Sequence, residues 1–284
     1  MKLKNINTIY CNGSSLSAGG GLYNTDVKEI YKNSHGVEWN NEKDVTYSKY
    51  IADYFSCKLV HDAQCGSGAP RLIRRTYEYI QKIGIENAKK TLFLFEITDP
   101  IHRIDMFCRE INDYIIVNVR YDDDSDGSIS NLSVQYSYSP NDNPYPDNFF
   151  KGKIESDVLR YIDNFHDPIV YSNRFKGDLI GLFTFLDKLG IQYFYMFDNP
   201  GGLKYPFDEV YEDLDSKHQL IIEDNVYTTS HFCHKHKLTI KDETRGYTDD
   251  THPGYFGYKK FSEIAIDFIK SRLETTFSKN DELI

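Results

Sequence analysis

Short apolar runs of strand length alternate along this chain with segments whose apolar residues recur at helical spacing. That is the pattern of a parallel sheet covered by helices on both faces. Ile6 to Cys11 predicts a first strand. Thr46 to Phe55 (TYSKYIADYF) puts Tyr47, Tyr50, Ile51, Tyr54 and Phe55 on one helical face, and Lys58 to His61 follows as a short second strand. After a glycine turn, Cys65 to Gly68, Pro70 stands in the first turn of an amphipathic helix continued by Leu72, Ile73, Tyr77 and Ile80. Thr91 to Ile97 (TLFLFEI) is apolar except for Glu96, as expected of a central parallel strand buried on both faces. Lys176 to Leu189 predicts a helix ended by Gly190, and Ile191 to Phe197 (IQYFYMF) another central strand. Gln219 to Ile222 reads as a fifth, shorter strand, and Phe261, Ile264, Ala265, Phe268 and Leu273 mark a terminal helix after Tyr258.

Between Asp105 and Phe150 the pattern breaks. Ile115 to Arg120 and Leu132 to Tyr138 predict two antiparallel strands joined by DDDSDGSIS and followed by the loop SPNDNPYPDN. This stretch is expected to be an insertion on the core fold, able to form a lid or a partner surface. No internal repeat is apparent.

Composition narrows the classes of function. A chain of 284 residues with 40% hydrophobic and 27% charged residues can bury a substantial core, and one large domain over 1–284 is the expectation. The formal charge of -10, with no dense Lys/Arg cluster, argues against nucleic acid and anionic membrane surfaces as partners and for small or neutral substrates. The aromatic share of 15%, with 23 Tyr and 18 Phe, fits either a sugar-facing groove or a compositional bias. Five scattered cysteines without Cys-x-x-Cys spacing read as reduced thiols. Neither a signal-peptide core nor an apolar stretch long enough to cross a bilayer is present, so a cytoplasmic or host-cell interior location is expected, with virion association left open.

The chemistry begins at Gly13-Ser14-Ser15-Leu16-Ser17-Ala18-Gly19, directly after the first strand, where ligands bind in open α/β sheets. Alone, the segment is equally a structural turn. Asp249-Asp250-Thr251-His252-Pro253, before the last helix, changes its meaning. A serine hydroxyl needs an imidazole to take its proton, and the imidazole needs a carboxylate to fix its tautomer; Asp249, three residues before His252, can supply the latter.

These residues resemble the conserved blocks of the SGNH (GDSL-type) hydrolase family. GSSLSAG is similar to the first block, with Ser14 where Asp usually stands and Ser15 in the nucleophile's place; DDTHPGYFGYKKFSEIAIDFI is similar to the last, which carries acid and base. His61 to Ser67 (HDAQCGS) resembles the second block, whose glycine, here Gly66, lends a backbone N–H to the oxyanion hole. The family's third block, Gly-x-Asn-Asp, is replaced by Glu96-Ile97-Thr98-Asp99. Losing one oxyanion donor costs roughly 100- to 1,000-fold in rate, so the resemblance leaves Thr98 to donate by its shorter hydroxyl, with Glu96 free to read a substrate hydroxyl.

What the resemblance implies is a three-layer α/β/α, flavodoxin-like fold with a central parallel sheet of about five strands and a β-rich insertion. It implies a serine esterase using Ser15, His252 and Asp249, with Gly66, Thr98 and Glu96 around the oxyanion and substrate, and no cofactor or metal. Acylated glycans and small-molecule esters are the expected substrates. The alternative is a catalytically weak or inactive relative that binds a glycan or a protein.

Other signals are set aside. His231-Phe232-Cys233-His234-Lys235-His236 offers zinc ligands but has no second cluster, and reads as a polar loop. Asp122, Asp124, Asp126 and Gly127 open like a calcium loop, yet Ser133 holds the twelfth position, so a charged hairpin turn is expected. Arg71, Arg74 and Arg75 read as a solvated helix face, with an anionic substrate as the other reading. His166 and Asp167 precede Pro168 in a loop without a nameable partner.

Overall fold

The structure is a computed structural model that describes residues 3, 5–98, 103–121, 129–136, 150, 152–197, 216–220, 229–248 and 250–280. Four strands form one parallel sheet: β1 (Thr8–Asn12), β2 (Lys58–His61), β3 (Thr91–Ile97) and β7 (Tyr193–Phe197), in the order β2-β1-β3-β7. The chain adds strands to opposite sides of β1, so the order reverses between β1 and β3. In a doubly wound sheet, that reversal opens a crevice at the carboxyl ends of the two strands.

Period-two alternation assigns the residues of β3 to two faces. Leu92 and Leu94 enter one core cluster, with Ile9, Cys11, Phe194 and Met196 from the neighbouring strands. Phe93, Phe95 and Ile97 enter the other, with Tyr10, Tyr193 and Tyr195. The first cluster is closed by α2 (Thr25–His35), α3 (Tyr47–Phe55) and the long α10 (Tyr255–Asn280). The second is closed by α4 (Ala69–Ile83), the single turn α5 (Ile85–Ala88) and α7 (Pro168–Leu189). These are the three expected α/β/α layers. The fifth strand is reduced to one parallel bridge, Tyr195 to Gln219, with 221 and 222 outside the described residues.

The insertion has a core of its own. An antiparallel sheet in the order β4-β5-β6 is built from β4 (Arg103–Cys108), β5 (Asp113–Tyr121) and β6 (Ile129–Tyr136). Its inward face, Ile104, Ile115, Val117 and Val119, packs on Ile154, Val158 and Ile162 of α6 (Lys153–Phe165). The insertion therefore has three strands where the pattern predicted two, and a helix is integral to it. The acidic stretch at Asp122, Asp124, Asp126 and Gly127 lies outside the described residues, as does the loop after Tyr136.

Arg71, Arg74 and Arg75 correct their expectation. Arg71 is 1% exposed; it donates to the Asn12 side chain and the Asp62 carbonyl, while Arg75 grips the Asp62 carboxylate with two bonds of 2.9 Å. Arg74 makes a fork of 2.5 and 3.0 Å to Asp105 of β4 and stacks 3.7 Å over Tyr114 of β5. The three guanidinium groups tie α4 to the loop after β2 and to the inserted sheet, because each finds a carboxylate that burial would otherwise penalise.

The His231 to His236 stretch is mostly helical: α8 (Thr229–Lys235) buries Phe232 and Cys233 in the first core cluster. Among the described residues, no group of three His, Cys, Asp or Glu side chains could hold a metal ion, and no helix is long and apolar enough to cross a membrane.

Candidate active site

Ser15 opens the single helical turn α1 (Ser15–Ala18) immediately beyond β1. From Cys11 to Leu22, it is the only residue that is not buried. A strand ending in small residues can turn this sharply, and the turn leaves Ser15 part-exposed while its neighbours sink into the core.

His252 comes from the other end of the chain, in the loop that feeds α10. Its Nδ1 lies 2.5 Å from Asp250 Oδ1, and the same oxygen accepts the His252 backbone N–H at 2.8 Å. An aspartate accepting the N–H two residues on is an Asx-turn, a local structure that also presents its carboxylate to the ring. With a carboxylate on Nδ1 the proton rests there, and Nε2 is left as the acceptor. Burial pushes the Asp250 carboxyl up, but its hydrogen bonds with His252 and the imidazole charge outweigh that and hold it below the usual carboxylate value. Asp249 lies outside the described residues; among those described, Asp250 puts its carboxylate on the imidazole.

The two ends of the chain meet over a run of glycines. A β-carbon on Gly20 would stand 3.0 Å from His252 Nε2, 2.9 Å from Cδ2 and 2.9 Å from the Ser15 carbonyl oxygen. On Gly21, at φ +79°, it would overlap Asp250 Oδ2. Gly20 thus seats the imidazole edge beside the backbone of Ser15, and Gly21 makes room for the carboxylate behind it. The triplet Gly19-Gly20-Gly21 was in view as sequence. Its role follows only once the dyad is known to lie against it.

The loop after β2 is stitched to the end of β1. Gln64 N–H donates to Gly13 O at 3.1 Å, and the Ser67 hydroxyl donates to the same oxygen at 2.6 Å. This fixes Gly66, at φ +79°, on a loop bonded to the residue two before Ser15. The N–H groups of Ser15 and Gly66 enter no hydrogen bond among the described residues.

Thr98 and Glu96 behave differently from expectation. Thr98 is 2% exposed and its hydroxyl donates to Ser67 O at 3.2 Å, so the proton is spent within the protein. Glu96, 1% exposed, accepts the N–H groups of Ser14 and Ser17 on one oxygen, below the turn rather than in the crevice, where a substrate hydroxyl cannot reach it. Arg103, at the start of β4, donates to Ser14 Oγ at 2.6 Å and to Ser67 O at 3.3 Å. No motif marks Arg103 in the sequence; the crossing of the inserted sheet over the turn places it there. Cys65 is the nearest thiol to Gly66, and burial, reinforced by the charges of Glu96 and Glu42, pushes it up to about 11, which keeps it protonated at neutral pH.

No family model matches the sequence, and no curated protein does. Two solved structures resemble the fold. One is a protein assigned to the G-D-S-L lipolytic family from Desulfitobacterium hafniense DCB-2, 11% identical, with 92% of this chain and 99% of that one covered at a TM-score of 0.44. The other is the psychrotrophic esterase EstA from Pseudoalteromonas sp., in a structure inhibited by monoethylphosphonate, 13% identical, with 94% and 99% covered at a TM-score of 0.44. The architecture of this chain follows from its own strand order and register, and its chemistry from its own residues.

Proposed function

We propose that this protein is a serine hydrolase of ester bonds. Ser15 attacks the carbonyl, His252 takes the serine proton and returns it to the leaving alcohol, and Asp250 holds the imidazole in the tautomer that makes Nε2 basic. Water, activated by the same imidazole, then frees the acyl group from Ser15. The N–H groups of Ser15 and Gly66 receive the oxyanion. The observation that carries this reading is the seating of His252 Nε2 over Gly20, beside the carbonyl of Ser15, with Asp250 on the opposite ring nitrogen.

The substrate class we favour is a small-molecule ester or an acylated glycan, in keeping with the acidic surface charge and abundant tyrosine. One observation favours a second reading, slow or absent turnover with a glycan- or protein-binding role: the Thr98 hydroxyl is engaged by Ser67 O, leaving two backbone donors for the oxyanion. A fluorophosphonate probe separates the two. Labelling of the wild-type protein, abolished in Ser15→Ala, supports the hydrolase; a folded wild-type protein that stays unlabelled removes it. On p-nitrophenyl acetate, Ser15→Ala is expected to lower turnover by about 1,000-fold or more.

A further inference from the structure

Glu96 is the one charged residue on β3, and strand alternation sends it to the face of Leu92 and Leu94 at the carboxyl end. There the turn that carries Ser15 lies against it. A β-carbon on Gly13 would stand 2.5 Å from Glu96 Cβ and 2.9 Å from Glu96 Oε2, so glycine at 13 is what lets the carboxylate reach under the turn. Its Oε2 accepts Ser14 N–H at 3.3 Å and Ser17 N–H at 2.5 Å. Those are the backbone donors on either side of Ser15 and Leu16; the N–H of Ser15 itself is passed over.

We infer that Glu96 is a positioning residue for Ser15: its buried carboxylate grips the backbone on both sides of the serine and so sets where the nucleophile and its N–H stand. The inference rests on the reading of Ser15 as nucleophile. Three contacts converge on the same turn. His61 Nε2 lies 2.8 Å from Ser17 O, the Ser17 hydroxyl shares a 2.6 Å bond with Tyr47, and Arg103 holds the Ser14 hydroxyl. Glu96 differs from these in binding main-chain donors on both sides of the serine with one oxygen. Burial pushes the Glu96 carboxyl up, and the Ser17 and Ser14 hydrogen bonds with the Arg103 charge oppose that rise.

The test separates reach from charge. Glu96→Gln keeps an acceptor at the same distance without the charge; Glu96→Asp keeps the charge and withdraws it by one methylene. The readouts are the fluorophosphonate labelling rate of Ser15 and the steady-state constants on p-nitrophenyl acetate, with thermal unfolding as the check on folding. Glu96→Gln is expected to label within about tenfold of wild type, the difference between a neutral and a charge-assisted bond. Glu96→Asp is expected to label about 100-fold more slowly, as a displacement near 1 Å does, with the loss in kcat and KM unchanged. Wild-type rates in folded Glu96→Asp overturn the inference, and so does a loss larger than tenfold in folded Glu96→Gln. If Glu96→Asp shows no cooperative unfolding, Glu96→Met, which keeps the length and removes the acceptor, takes its place, and a wild-type rate in folded Glu96→Met overturns the inference. An unlabelled wild-type protein refutes the hydrolase reading, and this inference falls with it; a labelled wild type with an equally labelled Glu96→Asp refutes this inference only.

Discussion

At the scale of single residues, the dyad makes the sharpest demands. Asp250→Asn would present an amide to Nδ1, turn the imidazole to the wrong tautomer and lower kcat on an ester by on the order of 1,000- to 10,000-fold with KM little changed. Gly20→Ala would press a methyl group onto His252 and the Ser15 carbonyl, and labelling of Ser15 should fall by about 100-fold in a protein that still unfolds cooperatively. The loop before α10 was legible as a place where an aspartate could meet an imidazole. That Asp250 puts its carboxylate on His252 was not, since the Asx-turn through the His252 N–H shows only in three dimensions. Glu96 and Thr98 carried the right residue types for contact with a substrate, and burial gave both an internal task.

Among the elements, two half-buried titratable groups brace the segments that bear the dyad and the serine, and they answer pH in opposite directions. Burial, and then the nearby Lys43 charge, lowers His61 to about 4, so the fold favours its neutral form. The unfolded chain binds that proton more readily, and stability contributed by His61 is lost as pH falls from about 6.5 toward 4. Glu243 sits in α9 (Ile240–Thr244) and accepts from the Tyr31 hydroxyl and from the first free N–H groups of α10, those of Phe256 and Gly257. Burial pushes it up to about 7 against the pull of those bonds, so its contribution is full below about 4.5 and is lost as pH rises through 7. The two contributions oppose each other and nearly cancel between about pH 4.5 and 6.5, so urea unfolding of the wild type should vary little there. His61→Asn is expected to leave stability falling as pH rises from 4 to 8, and Glu243→Gln to leave it falling as pH drops over the same range, each by on the order of 1–3 kcal/mol. Continuous patterns such as Thr91 to Ile97 and Lys58 to His61 were legible to the residue. α2 was not, since TDVKEIYKNSH buries only Val27 and Tyr31, and β4 was not, since RIDMFC puts one fully buried side chain inward.

For the molecule as a whole, the inserted sheet is held to the α/β core through Arg74. Asp105 is buried where the fork meets it, and Arg74→Met would take both guanidinium bonds from that carboxylate, costing roughly 3 kcal/mol in urea unfolding. The double variant Arg74→Met, Asp105→Leu is expected to recover most of that loss, since two apolar groups replace two charges. The α/β alternation announced the layers from sequence, whereas the seam between insertion and core did not show, because arginines on a helix look the same whether water or a carboxylate faces them. The meeting of Ser15 with His252 over Gly20 has a further consequence for how the protein comes into being. On the proposed mechanism, a chain made as far as the sheet but short of His252 holds the alcohol without its base. Reactivity toward a fluorophosphonate would then appear only once His252 has been added and α10 has closed against the first layer, and a truncation before His252 should stay unlabelled.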